Sequence, residues 1–298
     1  RVALHRGYAL VALSSAARNS HKCWHASAPL HHPQDTKDVA NAKAIVSTLL
    51  PREGLDKVPL YGMGASSGGA FVLVAAMGSV KFAALCSQIM AAPEQLLGDY
   101  LAHCEGAAKA KAEGKPHTAQ AGLEGDTKRE YHPFPPTLFV HMPRDGYTAT
   151  LVRENVQTLK DKGVAAKEIA VSATPLTPTY LAETCRPEIS VEQSQAIFEE
   201  FKAKGLIDAK GELTQDPRAA NWRDVITQSK TIPGNLHIRM QPDASGISEE
   251  LNLLWAGHEI ISTTTHDMLD WFESVATAAA GAASGGSKAS AGAAAGGR

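Results

Sequence analysis

The sequence predicts an α/β protein: a mostly parallel sheet flanked by helices, with a helical insertion late in the chain. Three observations predict it. Short, continuous apolar runs alternate with segments of helical spacing. A glycine-rich turn joins one such run directly to a helix of small residues. The alternation breaks at about Pro175 and resumes after Pro233.

Tyr8-Ala9-Leu10-Val11-Ala12-Leu13, Val58-Pro59-Leu60-Tyr61-Gly62-Met63 and Thr137-Leu138-Phe139-Val140-His141-Met142 read as buried parallel strands. Phe82 to Met90 and Glu168-Ile169-Ala170-Val171 are further candidates. Apolar character without alternation is what a strand covered on both faces shows.

Between these runs the spacing predicts helices over Asp38 to Leu50, ending before Pro51, and over Gly69 to Met77. A third covers Thr148 to Lys162, with Gly163 as its stop signal. Residues 1–174 thus form the expected core, and 175–233 a helical insertion with a helix over Val191 to Lys204. Residues 234–274 return to the core, with helices over Glu249 to Trp255 and Ile260 to Val275 and His258 between them. Residues 275–298 are Ala, Gly and Ser with little else, a composition that predicts disorder.

Composition excludes several classes of function. The 298 residues carry 29 basic and 31 acidic side chains, a net charge of −2 that gives no reason to expect nucleic acid or an anionic membrane as partner. No apolar run reaches the roughly 18–20 residues of a membrane helix. Cys23, Cys86, Cys104 and Cys185 show neither CxxC nor metal-ligand spacing and read as reduced thiols. His21 and His25 stand at i, i+4 and His31-His32 are adjacent, but no carboxylate completes a metal site, so no metal or cofactor is expected. The chain starts at Arg1 and runs almost at once into an apolar segment, which predicts a missing natural beginning. Any targeting signal would lie upstream, so the compartment is open.

The chemistry concentrates in Leu60-Tyr61-Gly62-Met63-Gly64-Ala65-Ser66-Ser67-Gly68-Gly69-Ala70, a Gly-x-Ser-x-Gly turn between strand and helix. Such a turn holds Ser66 in a strained backbone conformation. Gly64 and Gly68 flank it because strand and helix pass closely there. The helix N-terminus behind Ser66 supplies N–H groups and positive dipole where an oxyanion would develop. A turn that merely lets a helix pack on a sheet is the alternative.

Strand, elbow, small-residue helix, a later Asp at a strand end and a later His before a final helix together resemble the α/β-hydrolase superfamily. The resemblance spans about Arg1 to Ser274 and is weak over Pro175 to Pro233. More narrowly, Gly-Ala-Ser-Ser-Gly-Gly-Ala-Phe and His258-Glu259 resemble an uncharacterised plant-type branch, which names no substrate. The resemblance implies a triad in the order Ser, acid, His.

Ser66 is then the nucleophile, and Ser67 donates its backbone N–H to the oxyanion. Asp145, in the turn after Phe139-Val140-His141-Met142, fits the acid, or else caps the helix near Thr148. His258, before the last helix, is the favoured base, and His266 and His237 are the alternatives.

The second oxyanion donor of the superfamily comes from a loop for which nothing before Arg6 can stand. Residues 15–25 are expected along the top of the sheet near Ser66, with Cys23 and Trp24 lining a pocket or filling core. The 175–233 module reads as a lid or as a packing and partner-binding unit. Two functions follow: a serine hydrolase of esterase, thioesterase or amidase type acting on a small-molecule or acyl substrate, or a catalytically silent binding module.

Overall fold

The computed structural model describes residues 1–19, 21–25, 36–78, 80–115, 132–234, 236 and 245–290. The chain divides into two units, one of Arg1–His141, Tyr147–Ile169 and Ser262–Arg298, the other of Met142–Gly146 and Ala170–Ile261.

The first unit is built on strands β1 (Tyr61–Ala65), β2 (Ala84–Gln88), β3 (Thr137–His141) and β4 (Ala166–Ala170), lying side by side in chain order. β1–β2 and β2–β3 are parallel, with Gly64 opposite Ser87 and Ser87 opposite Phe139. Parallel neighbours need crossover connections, and helices supply them. Helices α1 (Val2–His5) and α2 (Lys37–Arg52) precede β1; α3 (Ser67–Met77), α4 (Glu94–Ala112) and α5 (Gly146–Asp161) follow β1, β2 and β3 in turn.

Every residue of β2 and β3 is buried, which is why these strands read as mostly apolar runs without alternation. All of α3 from Gly68 to Met77 is buried too, so its sequence is apolar all round instead of striped. Val39 of α2, Leu97 of α4 and Val152 and Leu159 of α5 join the same core, each worth roughly 1.5–3 kcal/mol if fully buried. Asn155 of α5 is a polar residue buried among them. Its amide exchanges two hydrogen bonds of 2.9 Å with the backbone of Ala92, which satisfies the buried group.

The second unit is helical: α6 (Tyr180–Thr184), α7 (Val191–Ala203), α8 (Trp222–Gln228) and α9 (Gly246–Trp255). Ser190 and Gln193 form a reciprocal capping box at the start of α7. Its core gathers Leu181, Ile197, Phe201, Trp222, Ile226, Leu251 and Leu254. The sequence places the return to the sheet domain at residue 234, but Ile247, Leu251 and Leu254 pack α9 into the helical core instead. His258 therefore belongs to the helical unit, and the chain rejoins the first unit at Ser262.

Helix α10 (Thr265–Ser290) closes the chain. It continues past Ser274 into the Ala-rich stretch that composition marks for disorder; alanine has the highest helix propensity of any residue. Side chains alternate across β1. Gly64 faces α3, while Tyr61 on the other face stacks on Phe272 of α10 with ring centres 4.6 Å apart. Helices thus cover both faces of the sheet at β1.

Two further sequence expectations change. Tyr8 to Leu13 takes no regular secondary structure and enters no ladder among the described residues, and Leu10 and Val11 are 60% and 49% exposed. A strand exists through its pairing, and apolar content alone does not supply a neighbour. Helix α2 runs through Pro51 to Arg52, because the proline falls in the last turn and Glu53 N–H still closes on the Leu49 carbonyl at 3.0 Å.

Candidate active site

Ser66 sits between β1 and α3 with φ 51° and ψ −123°, a strained conformation for a side-chain-bearing residue. Its N–H donates to the Gln88 carbonyl of β2 at 2.9 Å, and its carbonyl accepts the Ala70 N–H at 3.1 Å. The turn is thereby fixed at both ends. The Ser66 side chain makes no capping bond to α3, although serine at a helix start commonly does so.

The close approach behind this turn involves Gly64 and Gly69. A β-carbon at Gly64 would lie 2.0 Å from the Gly68 carbonyl oxygen, and one at Gly69 would lie 2.6 Å from Ser87 Oγ. At Gly68, where the sequence predicts a clash, a β-carbon would meet only the Trp24 indole at 3.5 Å, an ordinary contact. Gly69, the glycine after the pentapeptide, is the one that lies against Ser87 and the Gln88 carbonyl of β2, legible in the sequence only as a third glycine.

Trp24 lies in the same unit, against the first turn of α3. Trp24 N–H donates to Ser67 Oγ at 3.3 Å, and its ring stacks on Phe71 with centres 4.0 Å apart and planes 19° apart. Cys23 is exposed, its thiol 3.4 Å from the His21 carbonyl.

Asp145 and His258 both lie in the helical unit, and there they meet: His258 Nδ1 is 2.5 Å from Asp145 Oδ2. An ionised carboxylate only accepts, so Nδ1 carries the proton and Nε2 is left as the basic nitrogen of the neutral ring. Asp145 is held in its turn by its N–H donating to the Met142 carbonyl at 3.0 Å. The side chains are 40% and 16% exposed for His258 and Asp145, so the imidazole reaches solvent while the carboxylate is mostly covered.

The His258 loop begins where α9 ends at Ala256, which takes a left-handed φ of 53°. Three contacts that the sequence does not announce hold it. Arg144 donates to the Trp255 carbonyl at 2.9 Å with its guanidinium 3.9 Å above the Trp255 ring. Glu259 N–H donates to Met142 Sδ at 3.3 Å. The Glu259 carboxylate pairs with Arg218.

Of the alternative bases, His266 starts α10 with Nδ1 accepting from Arg6 at 3.1 Å, beside Asp270 and Glu273, which also pair with Arg6. His237 lies outside the described residues, as do His31 and His32. Among the described residues no group of three or more His, Cys, Asp or Glu side chains could hold a metal ion. No helix among them is long and apolar enough to cross a membrane.

No known family profile matches the sequence, and no curated protein matches it. Three solved structures are similar over part of their length. A thermostable esterase aligns at 16% identity and TM-score 0.31, over 47% of this chain and 30% of the esterase. The acylaminoacyl peptidase of Pyrococcus horikoshii aligns at 17% and 0.31, over 49% and 24%. An acylaminoacyl peptidase in complex with Z-Gly-Gly-Phe-chloromethyl ketone aligns at 16% and 0.30, over 63% and 30%. The chain spans at most about a third of the length of these structures. A likeness of this degree fixes no activity for the chain.

Proposed function

We propose that the chain is a serine hydrolase of the α/β-hydrolase type, with Ser66 as nucleophile, His258 as base and Asp145 as the acid that orients it. The observation that carries this reading is the Asp145–His258 pair, whose Nδ1–Oδ2 separation is 2.5 Å. Chain order and motif context single out these two residues, and a structural imidazole needs no carboxylate on Nδ1. The strained Ser66 turn at a helix N-terminus supports the same reading.

The chemistry requires His258 Nε2 to reach Ser66 Oγ. The imidazole takes the hydroxyl proton as Oγ adds to an acyl carbonyl, and the carbonyl electron pair moves onto oxygen. The Ser67 N–H, the first of α3, donates to that oxyanion with the helix dipole behind it. Collapse expels the alcohol, thiol or amine, which takes its proton from the imidazolium. Water, deprotonated by His258, then releases the acid from the acyl-enzyme and restores Ser66. Asp145 keeps Nδ1 protonated and stabilises the imidazolium.

Hydrolysis of p-nitrophenyl acetate by the purified chain tests this reading, with Ser66→Ala and His258→Ala as controls. Turnover that both variants abolish supports the hydrolase. Turnover unaffected by either, or no turnover by the folded wild type, favours a silent binding module.

A further inference from the structure

The segment over the elbow is closed by one buried carboxylate. Asp38 stands in the first turn of α2 and is 1% exposed. Its Oδ1 accepts the Ala16 N–H at 2.6 Å and its Oδ2 accepts the His25 N–H at 3.0 Å, so both ends of the loop are tied to one side chain. His25 Nδ1 lies 3.5 Å from the same Oδ2. Within the loop, the Ser15 hydroxyl donates to the Lys22 carbonyl at 3.0 Å, where Lys22 takes a φ of 57°. Charge-assisted bonds and the N-terminal dipole of α2 offset the desolvation of the carboxylate.

Trp24 immediately precedes His25, so the clamp sets where its indole goes. The ring lies on Phe71 and over Gly68, beside the residues that follow Ser66, while the Trp24 backbone N–H donates to the Ser67 hydroxyl. A flat apolar face so placed recognises apolar area and offers little to a charged group.

Resting on the reading of Ser66 as nucleophile, we infer that Asp38 is a positioning residue that fixes Trp24 as an apolar wall beside Ser66 and Ser67. That wall selects esters carrying an apolar chain or ring.

The test compares ethyl acetate, ethyl hexanoate and hexyl acetate as substrates of the wild type, Asp38→Asn, Trp24→Ala and Trp24→Phe. Asparagine keeps one acceptor and turns a donor toward the other N–H. The wild type prefers at least one six-carbon ester over ethyl acetate, and Asp38→Asn and Trp24→Ala lower that preference about tenfold, chiefly through KM. Trp24→Phe retains most of it. Loss on ethyl hexanoate places the acyl chain on the wall; loss on hexyl acetate places the alcohol there. A preference unchanged within about twofold in folded Trp24→Ala overturns the inference, on the scale one apolar contact supplies.

Hydrogen exchange reads the clamp without turnover. The Ala16 and His25 amides exchange slowly in the wild type, at least one of them exchanges fast in Asp38→Asn, and equal protection of both amides in the two proteins overturns the positioning role. If the wild type hydrolyses no ester, the hydrolase reading fails and selection with it, while the exchange comparison still decides the clamp.

Discussion

His258 Nδ1 and Asp145 Oδ2 stand 2.5 Å apart although 113 positions separate the residues in the chain. The pair closes a loop of the helical unit onto the turn after β3 and leaves Nε2 as the ring's basic nitrogen. Asp145→Asn keeps the shape and lets the other tautomer form. Turnover on p-nitrophenyl acetate is expected to fall on the order of 10³–10⁴-fold. The thermal midpoint moves by no more than roughly 4 °C. Turnover left intact would mark Asp145 as a helix cap, a role that asparagine fills equally well.

Arg144 acts on the same loop from behind. Its hydrogen bond to the Trp255 carbonyl and its place over the Trp255 ring fix the residue just before the loop turns. Removing both contacts in Arg144→Ala loosens the imidazole, and kcat falls about 100-fold, the cost typical of a misplacement near 1 Å. Arg144→Lys restores little, because an ammonium lacks the planar face that stacks on indole. Steady-state kinetics separate this outcome from a change confined to KM.

The glycines of the elbow differ in what they tolerate. Gly64→Ala and Gly69→Ala drive a methyl into backbone or Ser87, and each lowers stability by about 1–3 kcal/mol in urea unfolding. Gly68→Ala meets only the Trp24 indole at 3.5 Å and leaves the unfolding midpoint nearly unchanged. Equal losses at all three positions would contradict the packing described.

These glycines also show what the sequence carries and what it hides. β2 and β3 are legible because both of their faces are covered, so their residue types admit one reading. The Val58–Met63 run is displaced from β1, and Val58 at its start is 52% exposed. Helix α4 leaves only a short stripe: its buried residues Leu96, Leu97, Tyr100 and Leu101 share one face of its first half, and its last turns are mostly Ala and Lys. The elbow is legible because its chemistry is local. Asp38 and Arg144 are not, since their partners are backbone groups 22 and 111 positions away, and a backbone group has no identity in a sequence.

Burial alone pushes the Cys86 thiol up to about 12. Its folded value lies above the ordinary value of about 8.5, so the protonated form is what the fold favours. Its contribution to stability is therefore complete below pH about 8.5 and is lost as the pH rises toward 12. Iodoacetamide at pH 8 is expected to modify exposed Cys23 and spare Cys86, as peptide mass spectrometry would show. Rapid modification of Cys86 in the folded chain would contradict its burial.

The central claim is that Ser66 is an activated nucleophile, and fluorophosphonate labelling with the modified residue located by mass spectrometry tests it most directly. The account predicts one adduct, on Ser66, that Ser66→Ala removes and His258→Ala slows by about 10³-fold or more. A folded chain that takes up no probe at Ser66, or labels equally fast without His258, would contradict it.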